Sequence, residues 1–268
     1  MKRLLPLLLL AALPTLPLLA ADDPCVGQYA SIHSVLWQQT AAEYDAITRQ
    51  VYGAARRNLD AAVAGPGDPL GRQPAIVLDI DETVLDTTTF QSGMTRNRKP
   101  FTEDAFHQYA LHDVSRPIPA ALDFLNYAAS KNVAIFFVTN RDVSEKPALL
   151  ETLAHYHYPT DDKHVLTKNE QPNWTSDKTS RREYVAARYA LLMLFGDDLN
   201  DFISTSGKTI EQRRQIVADN AAKLGTVWYV LPNPTYGSWE RALGAKDTNG
   251  DCGAAEKLKM MREDKQWQ

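Results

Sequence analysis

The sequence predicts an α/β protein with a Rossmann-like parallel sheet of about five strands sandwiched between helices. Two observations support this fold class. Short apolar runs alternate along the chain with longer stretches of helical spacing, which is the pattern of a parallel sheet covered on both faces. The 268 residues are 44% hydrophobic and 23% charged, a balance that suits one globular domain with a small cap.

The first 21 residues read as a secretory signal peptide, followed by a single domain over residues 22–268. Lys2 and Arg3 give a positive start, and the apolar run over residues 4–19 leads to small residues at Ala20 and Ala21. A membrane anchor is the alternative, but the run is short and interrupted by proline for a span. We therefore expect an exported protein, periplasmic or secreted, without a stable membrane anchor.

The two cysteines of the chain lie near the ends of this domain, at Cys25 and Cys252. In an oxidising compartment they could form a disulfide that ties the two ends together, or they could remain unpaired thiols. Asp22, Asp23 and Pro24 precede Cys25, whereas a lipid-modified cysteine needs small residues before it. The sequence therefore argues against a lipoprotein.

The elements of the fold follow in chain order. Helical spacing without proline from residue 28 to about residue 64 predicts a helical N-terminal extension, with a break expected at Gly53. A loop rich in Gly and Pro separates it from the sheet. Strands are predicted at residues 75–80, 133–138, 163–167, 191–195 and 226–231. The helices between them are predicted at residues 120–130, 146–156, 179–189 and 210–223.

One segment does not fit this alternation. Residues 87–116 lie between the first strand and its crossover helix, and they are too many for a plain turn. We interpret this insert as a cap that shapes the substrate pocket.

Polar residues stand where three of the predicted strands end. Asp79 and Asp81 end the first strand, Thr139 and Asn140 end the second, and G-D-D-L-N-D over residues 196–201 ends the fourth. In open parallel sheets, ligands bind at the carboxyl ends of the strands. We therefore expect these carboxylate, hydroxyl and amide groups to converge on one site.

A cluster of carboxylates at one edge of a sheet needs a cation, and hard oxygen ligands without Cys or His favour Mg²⁺. Such a site admits a phosphate group and stabilises its charge during transfer. One carboxylate can attack phosphorus, and a second can protonate the leaving alkoxide and then activate water. A lysine should neutralise the phosphate, and Lys178, at the start of a predicted helix, is the candidate.

Four motifs in order resemble those of the haloacid dehalogenase superfamily: D-x-D-x-T at residues 79–83, Thr139-Asn140, Lys178, and G-D-D-L-N-D at residues 196–201. Further stretches resemble the secreted bacterial acid phosphatases of classes B and C: SVLWQQTAAEYDAI, LDIDETVLD, VTNRD, GDDLNDF and LPNPTYGSWE. The likeness is greatest to the outer-membrane lipoprotein acid phosphatases that hydrolyse 5′-nucleotides. It runs from about residue 34 to residue 239.

The resemblance implies a haloacid-dehalogenase-like fold and a role for each acidic motif residue. Asp79 would be the nucleophile and a Mg²⁺ ligand. Asp81 would be the general acid and base, with its backbone carbonyl on the metal. Asp197 would be a further Mg²⁺ ligand, and Asp201 would support the site from one helical turn on. Glu82, in the same stretch as Asp79, is interpreted as a turn residue and not as a ligand.

The resemblance also implies how substrate would be held. Thr139 and Asn140, together with Lys178, would bind the phosphate oxygens. Aromatic side chains bracket the nucleoside base in this family, and Tyr236 and Phe106 stand where such aromatics are expected.

We therefore expect a Mg²⁺-dependent acid phosphatase that hydrolyses 5′-nucleotides or similar small phosphate esters through an aspartyl-phosphate. A phosphotransferase with the same nucleophile is one alternative, and a non-catalytic phosphate- or nucleotide-binding storage protein is another. The formal net charge of −4 gives no basic surplus, so no nucleic-acid polymer is expected as a partner. The chain could form a homodimer.

Overall fold

The computed structural model describes residues 30–112, 114–244 and 252–261. The expected signal peptide lies outside the described residues. Cys252 is disulfide-bonded, and Cys25, the other half of the expected pairing, lies outside the described residues. In the part of the chain that is described, no helix is both long enough and apolar enough to cross a membrane.

The central sheet has the predicted five parallel strands. In chain order the strands are β1 Pro74–Leu78, β2 Leu85–Asp86, β3 Arg116–Pro117, β4 Ala134–Asp142, β5 Val165–Lys168, β6 Ala190–Gly196 and β7 Trp228–Val230. The sheet order is β5-β4-β1-β6-β7, and β2 and β3 form a separate antiparallel pair. The third predicted strand begins two residues late, because Asp162–His164 forms a 3₁₀ turn that the Asp161 carboxylate caps.

Helices cover this sheet on both faces. In chain order they are α1 Ile32–Thr40, α2 Ala42–Ala64, α3 Thr88–Asn97, α4 Glu103–Leu111, α5 Ala121–Ser130, α6 Lys146–His155, α7 Thr179–Ala186, α8 Ile210–Asp219, α9 Ser238–Arg241 and α10 Ala254–Met260. The helical patterns predicted after the first strand therefore correspond to α5, α6, α7 and α8.

The helical N-terminal extension is present, but the expected break at Gly53 is wrong. Helix α2 runs through Gly53, and the chain breaks at Ala41, whose backbone is extended with ψ 127°. A glycine inside a long packed helix costs only about 1 kcal/mol relative to alanine, so packing outweighs it. The bend at Ala41 lets α1 reach the cap, where Gln39 donates hydrogen bonds to Thr88 at 3.1 Å and to Ser92 at 2.9 Å.

The core has two layers because alternate residues of the inner strands point to opposite faces. Ile76 and Leu78 of β1 face one layer, with Tyr52 of α2 and Phe124 of α5. Neighbouring positions of β1 face the other layer, which contains Val185 of α7. Burial on both faces explains why the inner strands are almost continuously apolar in sequence.

The insert predicted at residues 87–116 folds as α3 and α4, and the β2–β3 pair flanks it on both sides. An aromatic cluster centres on Phe90, whose ring centroid lies 5.3 Å from those of Phe106 and Tyr109. Phe101, which is 53% exposed, lies at the edge of the cluster, with its ring 6.2 Å from that of Phe90. This small aromatic core holds the cap together.

Candidate active site

The loop after β1 presents the first pair of aspartates. The Asp79 backbone N–H donates to Phe195 O at 3.0 Å, so Asp79 continues the hydrogen bonding between β1 and β6. The chain then coils tightly, and Ile80 O accepts the N–H groups of residues 83–85 at 2.9–3.2 Å. This coil leaves both Asp79 and Asp81 at the carboxyl edge of the sheet.

Three carboxylates from two strand ends converge beside this loop. Asp79, Asp197 and Asp201 each offer an oxygen, and these oxygens lie within 4.8 Å of one another. No His or Cys belongs to the group, and a compact set of hard oxygen donors fits Mg²⁺. The predicted metal ligands are Asp79, Asp197 and, through its backbone carbonyl, Asp81. The cluster of side chains contains Asp79, Asp197 and Asp201.

Lys178 lies directly against this cluster. Its Nζ is 2.5 Å from Asp79 Oδ1 and 2.6 Å from Asp201 Oδ1, and its side chain is 5% exposed. Burial by itself would lower the pKa of Lys178, but the carboxylates of Asp201 and Asp79 outweigh burial and raise it above its usual value. The lysine is therefore a fixed cation in the site.

The carboxylates of the cluster resist ionisation in the absence of a metal. Burial raises the pKa of Asp79 to about 7; Lys178 opposes the change, and the charges of Asp201 and Asp81 add to it. Burial and the neighbouring Asp201 and Asp79 also raise the pKa of Asp197 well above its usual value. The pKa values of Asp79 and Asp197 stay raised although Lys178 lies beside the cluster, which is a physical reason for a bound cation.

A glycine makes the approach of Asp201 feasible. A Cβ at Gly196 would lie 2.2 Å from Asp201 Oδ2, far inside van der Waals contact. The Asp198 backbone N–H donates to that Oδ2 at 2.9 Å, and the Asp198 carboxylate accepts from Asn200 N at 2.9 Å. These reciprocal bonds cap the 3₁₀ turn Leu199–Asp201 and orient Asp201 toward Lys178.

The Asp81 carboxylate is not one of the three clustered carboxylates, and it pairs with Arg141. The guanidinium donates to Asp81 Oδ1 from Nη2 at 2.8 Å and from Nε at 3.2 Å, and Nε lies 3.3 Å from Oδ2. The side chain of Arg141 has no exposed surface, and that of Asp81 is 15% exposed. The predicted acid and base therefore has a buried cationic partner that the sequence reading did not include.

The end of β4 contributes the predicted hydroxyl and amide. Thr139 is fully buried, and Asn140 is exposed with its amide group donating to Ser176 O at 3.0 Å. A second buried arginine, Arg181, donates to Asn140 Oδ1 at 2.7 Å and to the Thr139 carbonyl. Burial lowers the pKa of Arg181 to about 10. This arginine fixes the turn that carries both residues.

Glu82 occupies the expected turn, with a left-handed φ of 56°, but it is also completely buried. Its carboxylate accepts from Thr87 N at 2.9 Å, from Thr87 Oγ1 at 2.8 Å and from the Tyr236 hydroxyl. Burial and the charge of Asp81 raise the pKa of Glu82 to about 8, while the hydrogen bonds from Tyr236 and Thr87 act in the opposite direction. The hydroxyl of Tyr236 is thus committed to the loop that carries Asp79 and Asp81.

The segment after β7 is tied to the same edge of the sheet. Asn233 donates to Asp197 Oδ2 at 2.8 Å, and its own Oδ1 accepts from Thr235 N at 2.9 Å. Farther along, the Ser238 backbone N–H and hydroxyl donate to the Asp198 carboxylate. These contacts connect the Tyr236 segment to the end of β6, and the hydrogen bond from Tyr236 to Glu82 connects it to the loop after β1.

Of the predicted aromatics, Phe106 belongs to the cap cluster, and its ring centroid lies 5.9 Å from the guanidinium carbon of Arg141. The structure thus brings Phe106 toward Asp81 through Arg141 and brings Tyr236 toward Asp81 through Glu82. Sequence reasoning missed the roles of Arg141, Arg181 and Asn233 in holding these groups. The available signal was the position of Arg141 directly after Asn140 and of Arg181 three residues after Lys178.

Comparisons with known proteins agree with this arrangement. The family model described as HAD superfamily, subfamily IIIB (acid phosphatase), matches residues 20–239. The structure of the class C acid phosphatase from Bacillus anthracis is similar, with 30% sequence identity and a TM-score of 0.82 over 89% of this chain and 99% of that one. A tungstate-bound crystal structure of that phosphatase shows 31% identity and a TM-score of 0.81, over 89% of this chain and 100% of that one.

The matched region takes in all five strands and each of the motif residues described above. The family model, the fold and the site geometry therefore indicate the same family over most of the chain. The protein belongs to the subfamily IIIB acid phosphatases of the HAD superfamily, and it is a phosphoric monoester hydrolase.

Proposed function

We propose that this protein is a Mg²⁺-dependent acid phosphatase that hydrolyses 5′-nucleotides or similar small phosphate esters through an aspartyl-phosphate on Asp79. The observation that carries the proposal is the pairing of Asp79 with buried Lys178 at 2.5 Å inside a compact carboxylate cluster. A carboxylate held beside a fixed cation is suited to attack a phosphorus atom whose oxygens that cation also neutralises.

The side chains of Asp79 and Asp197 would hold the metal, with the backbone carbonyl of Asp81. Asp201 is less available, because its two oxygens already accept from Lys178 and from the Asp198 N–H. Bound Mg²⁺ would neutralise charge on the phosphoryl group and offset repulsion among the carboxylates. Asp201 then serves as the support that keeps Lys178 in place.

In the reaction that we propose, an Asp79 oxygen forms a bond to phosphorus while the bond to the leaving oxygen breaks. Asp81 gives its proton to that leaving oxygen and later takes one from the water that cleaves the aspartyl-phosphate. Lys178 neutralises phosphate oxygens, and the hydroxyl of Thr139 and the amide of Asn140 position them. Tungstate in the Bacillus anthracis relative supports an oxyanion site of this kind, because tungstate and phosphate are both tetrahedral oxyanions.

The preference for nucleotides rests on the aromatic residues near the site. Phe106 comes from the cap, and its ring lies near Arg141, which binds Asp81. Tyr236 comes from the segment after β7, and its hydroxyl donates to Glu82, the residue after Asp81. Rings from two sides could enclose a base. Measuring kcat/KM over a panel of nucleoside monophosphates and sugar phosphates tests this preference, and equal values for both classes would refute it.

The central test of the mechanism is Asp79→Asn. We expect it to abolish turnover of p-nitrophenyl phosphate, because an amide is too weak a nucleophile to form the intermediate. EDTA should abolish turnover of the unaltered enzyme, and added Mg²⁺ should restore it. Asp45→Asn is the matched control, since Asp45 is an exposed carboxylate paired with Arg49 at 3.0 Å and remote from the motif residues in sequence. Retained activity in Asp79→Asn, or in EDTA, would refute the mechanism.

Two other functions use the same residues. A phosphotransferase would pass the phosphoryl group from Asp79 to an alcohol, so product analysis with glycerol or a nucleoside as acceptor separates it from a hydrolase. A storage-type binding protein would retain phosphate affinity without releasing phosphate from esters. Mg²⁺-dependent phosphate release at micromolar protein concentration distinguishes that case.

We also propose that the protein is exported, with residues 1–21 removed as a signal peptide. The positive start and the apolar run of the sequence support this proposal. N-terminal sequencing of the protein recovered from the periplasm or the medium tests it, and an intact Met1 on the recovered protein would contradict it.

A further inference from the structure

Arg141 is the partner of the proposed general acid, and its geometry is specific. Its guanidinium meets Asp81 with both Nη2 and Nε, and the shortest distance, 2.8 Å, is from Nη2 to Oδ1. Nε is 3.3 Å from Oδ2, so the second oxygen is held more loosely. The contacts with both oxygens thus fix the orientation of the carboxylate.

Arg141 is a buried cation that needs an anionic partner. The side chain is fully buried, and taking a guanidinium out of water is unfavourable without a hydrogen-bonded anion. The planar fork of arginine fixes the orientation of a carboxylate, which the point charge of a lysine does not do. The carboxylate that Arg141 binds is the one that the proposed reaction uses for proton transfer.

The cap also contacts Arg141. The Phe106 ring of α4 lies 5.9 Å from the guanidinium carbon. On the same helix, His107 Nδ1 is 2.9 Å from Glu145 Oε1, and Glu145 Oε2 accepts from the Asp142 backbone N–H, next to Arg141. Helix α4 therefore contacts both the side chain of Arg141 and the turn that follows it.

We propose that Arg141 is a positioning residue, which orients the Asp81 carboxyl group for proton transfer to the leaving oxygen. The inference rests on the proposed function, in which Asp81 is the general acid. As the phosphorus–oxygen bond breaks, its electron pair stays on the leaving oxygen and the proton of Asp81 moves to that oxygen. Arg141 stabilises the carboxylate that this transfer leaves behind, and the bond between Asp79 and phosphorus forms in the same step.

The test compares leaving groups that differ in their need for a proton. A nitrophenolate leaves without protonation, whereas an alkoxide needs an acid, which contributes about 10²–10⁴-fold to the rate. We expect Arg141→Gln to lower kcat/KM for glycerol 2-phosphate by about 100-fold or more, and for p-nitrophenyl phosphate by less than about tenfold. The constant kcat/KM reports the step that forms the aspartyl-phosphate, so water attack does not obscure the comparison.

Two further variants isolate the action of Arg141 on Asp81. If Arg141 acts only through Asp81, then Asp81→Asn and the double variant Asp81→Asn with Arg141→Gln should have the same kcat/KM within about threefold. Arg141→Lys keeps the charge without the fork, so we expect it to recover only part of the rate on glycerol 2-phosphate. Circular dichroism and thermal melting check that each variant is folded, and Arg141→Lys decides the comparison if Arg141→Gln does not fold.

The outcomes separate the two proposals. If Asp81→Asn slows both esters equally, the proposed function is wrong about the general acid. If Asp81→Asn slows the alkyl ester selectively but the folded Arg141 variant slows both esters equally, the proposed function stands and Arg141 has only a structural role. Additive losses in the double variant would also overturn the inference.

Discussion

Replacing Lys178 by methionine removes a cation that contacts both Asp79 and Asp201. Its Nζ lies 2.5 and 2.6 Å from these carboxylates, and the side chains are 5% exposed for Lys178, 12% for Asp79 and 4% for Asp201. Breaking a buried ion pair of this kind costs about 3–5 kcal/mol, because the remaining charges lose their partner. For a domain of this size that cost lowers Tm by about 6–20 °C.

The loss should depend on pH in a defined direction. The pKa of Asp79 is already raised to about 7, and removing Lys178 raises it further, because the lysine favours the ionised form. A carboxyl group with a raised pKa in the folded state favours folding at low pH, and that contribution disappears as pH rises through the raised value. The loss of stability in Lys178→Met should therefore be small near pH 4 and increase as the pH rises past 7.

The assay is thermal unfolding in EDTA from pH 4 to pH 8, together with kcat on p-nitrophenyl phosphate in Mg²⁺. We expect kcat to fall by about 10²–10³-fold, the effect of losing one preorganised group that stabilises transition-state charge. Lys146→Met is the matched control, since Lys146 is also buried and its Nζ lies 2.8 Å from Glu170 and 3.1 Å from Asp162. Its partners are more exposed than those of Lys178, 72% for Asp162 and 28% for Glu170, so the control should cost less stability and leave kcat nearly unchanged.

Either of two results would refute this reasoning. Lys178→Met could melt no lower than Lys146→Met at pH 8, which would mean that the buried pairs do not stabilise the fold. It could instead keep kcat within about tenfold of the unaltered enzyme, which would mean that the lysine does not act on the phosphoryl group.

Three further predictions follow from the site. Gly196→Ala should lower the free energy of unfolding by about 1–3 kcal/mol and remove most activity, because its Cβ would lie 2.2 Å from Asp201. Gly93→Ala is the control: it has open space around it and should leave the free energy of unfolding unchanged or raise it. Urea unfolding measures both values. Tyr236→Phe should lower the free energy of unfolding by about 1–3 kcal/mol in the same assay, because buried Glu82 loses a hydrogen-bond donor. An unchanged free energy of unfolding would contradict this. In EDTA the enzyme should be more stable at pH 5 than at pH 8. Mg²⁺ should raise Tm more at pH 8 than at pH 5, since the metal needs ionised carboxylates. Equal increases in Tm at the two pH values would count against a carboxylate metal site.

The alternation of apolar strands with helical stretches was enough to predict the parallel sheet, because a strand buried on both faces has to be apolar throughout. The same reasoning predicted that carboxylates after β1 and β6 meet, since the carboxyl ends of parallel strands share one edge of the sheet. It was less reliable for boundaries: the break placed at Gly53 occurs at Ala41. Local propensity is weak there, and the contacts of α1 with the cap decide where the chain turns.

For the site, the sequence by itself determined which groups are available: the aspartates after β1 and β6, the Thr139-Asn140 pair and Lys178. Spacing within a strand and order along the chain carry that information. Only the tertiary structure decided which of these groups touch. It set Lys178 between Asp79 and Asp201, turned the Asp81 carboxylate to Arg141, and buried Glu82 against Tyr236, 154 residues away in the chain. Such pairings depend on side-chain directions and burial across elements distant in sequence, which no local pattern encodes.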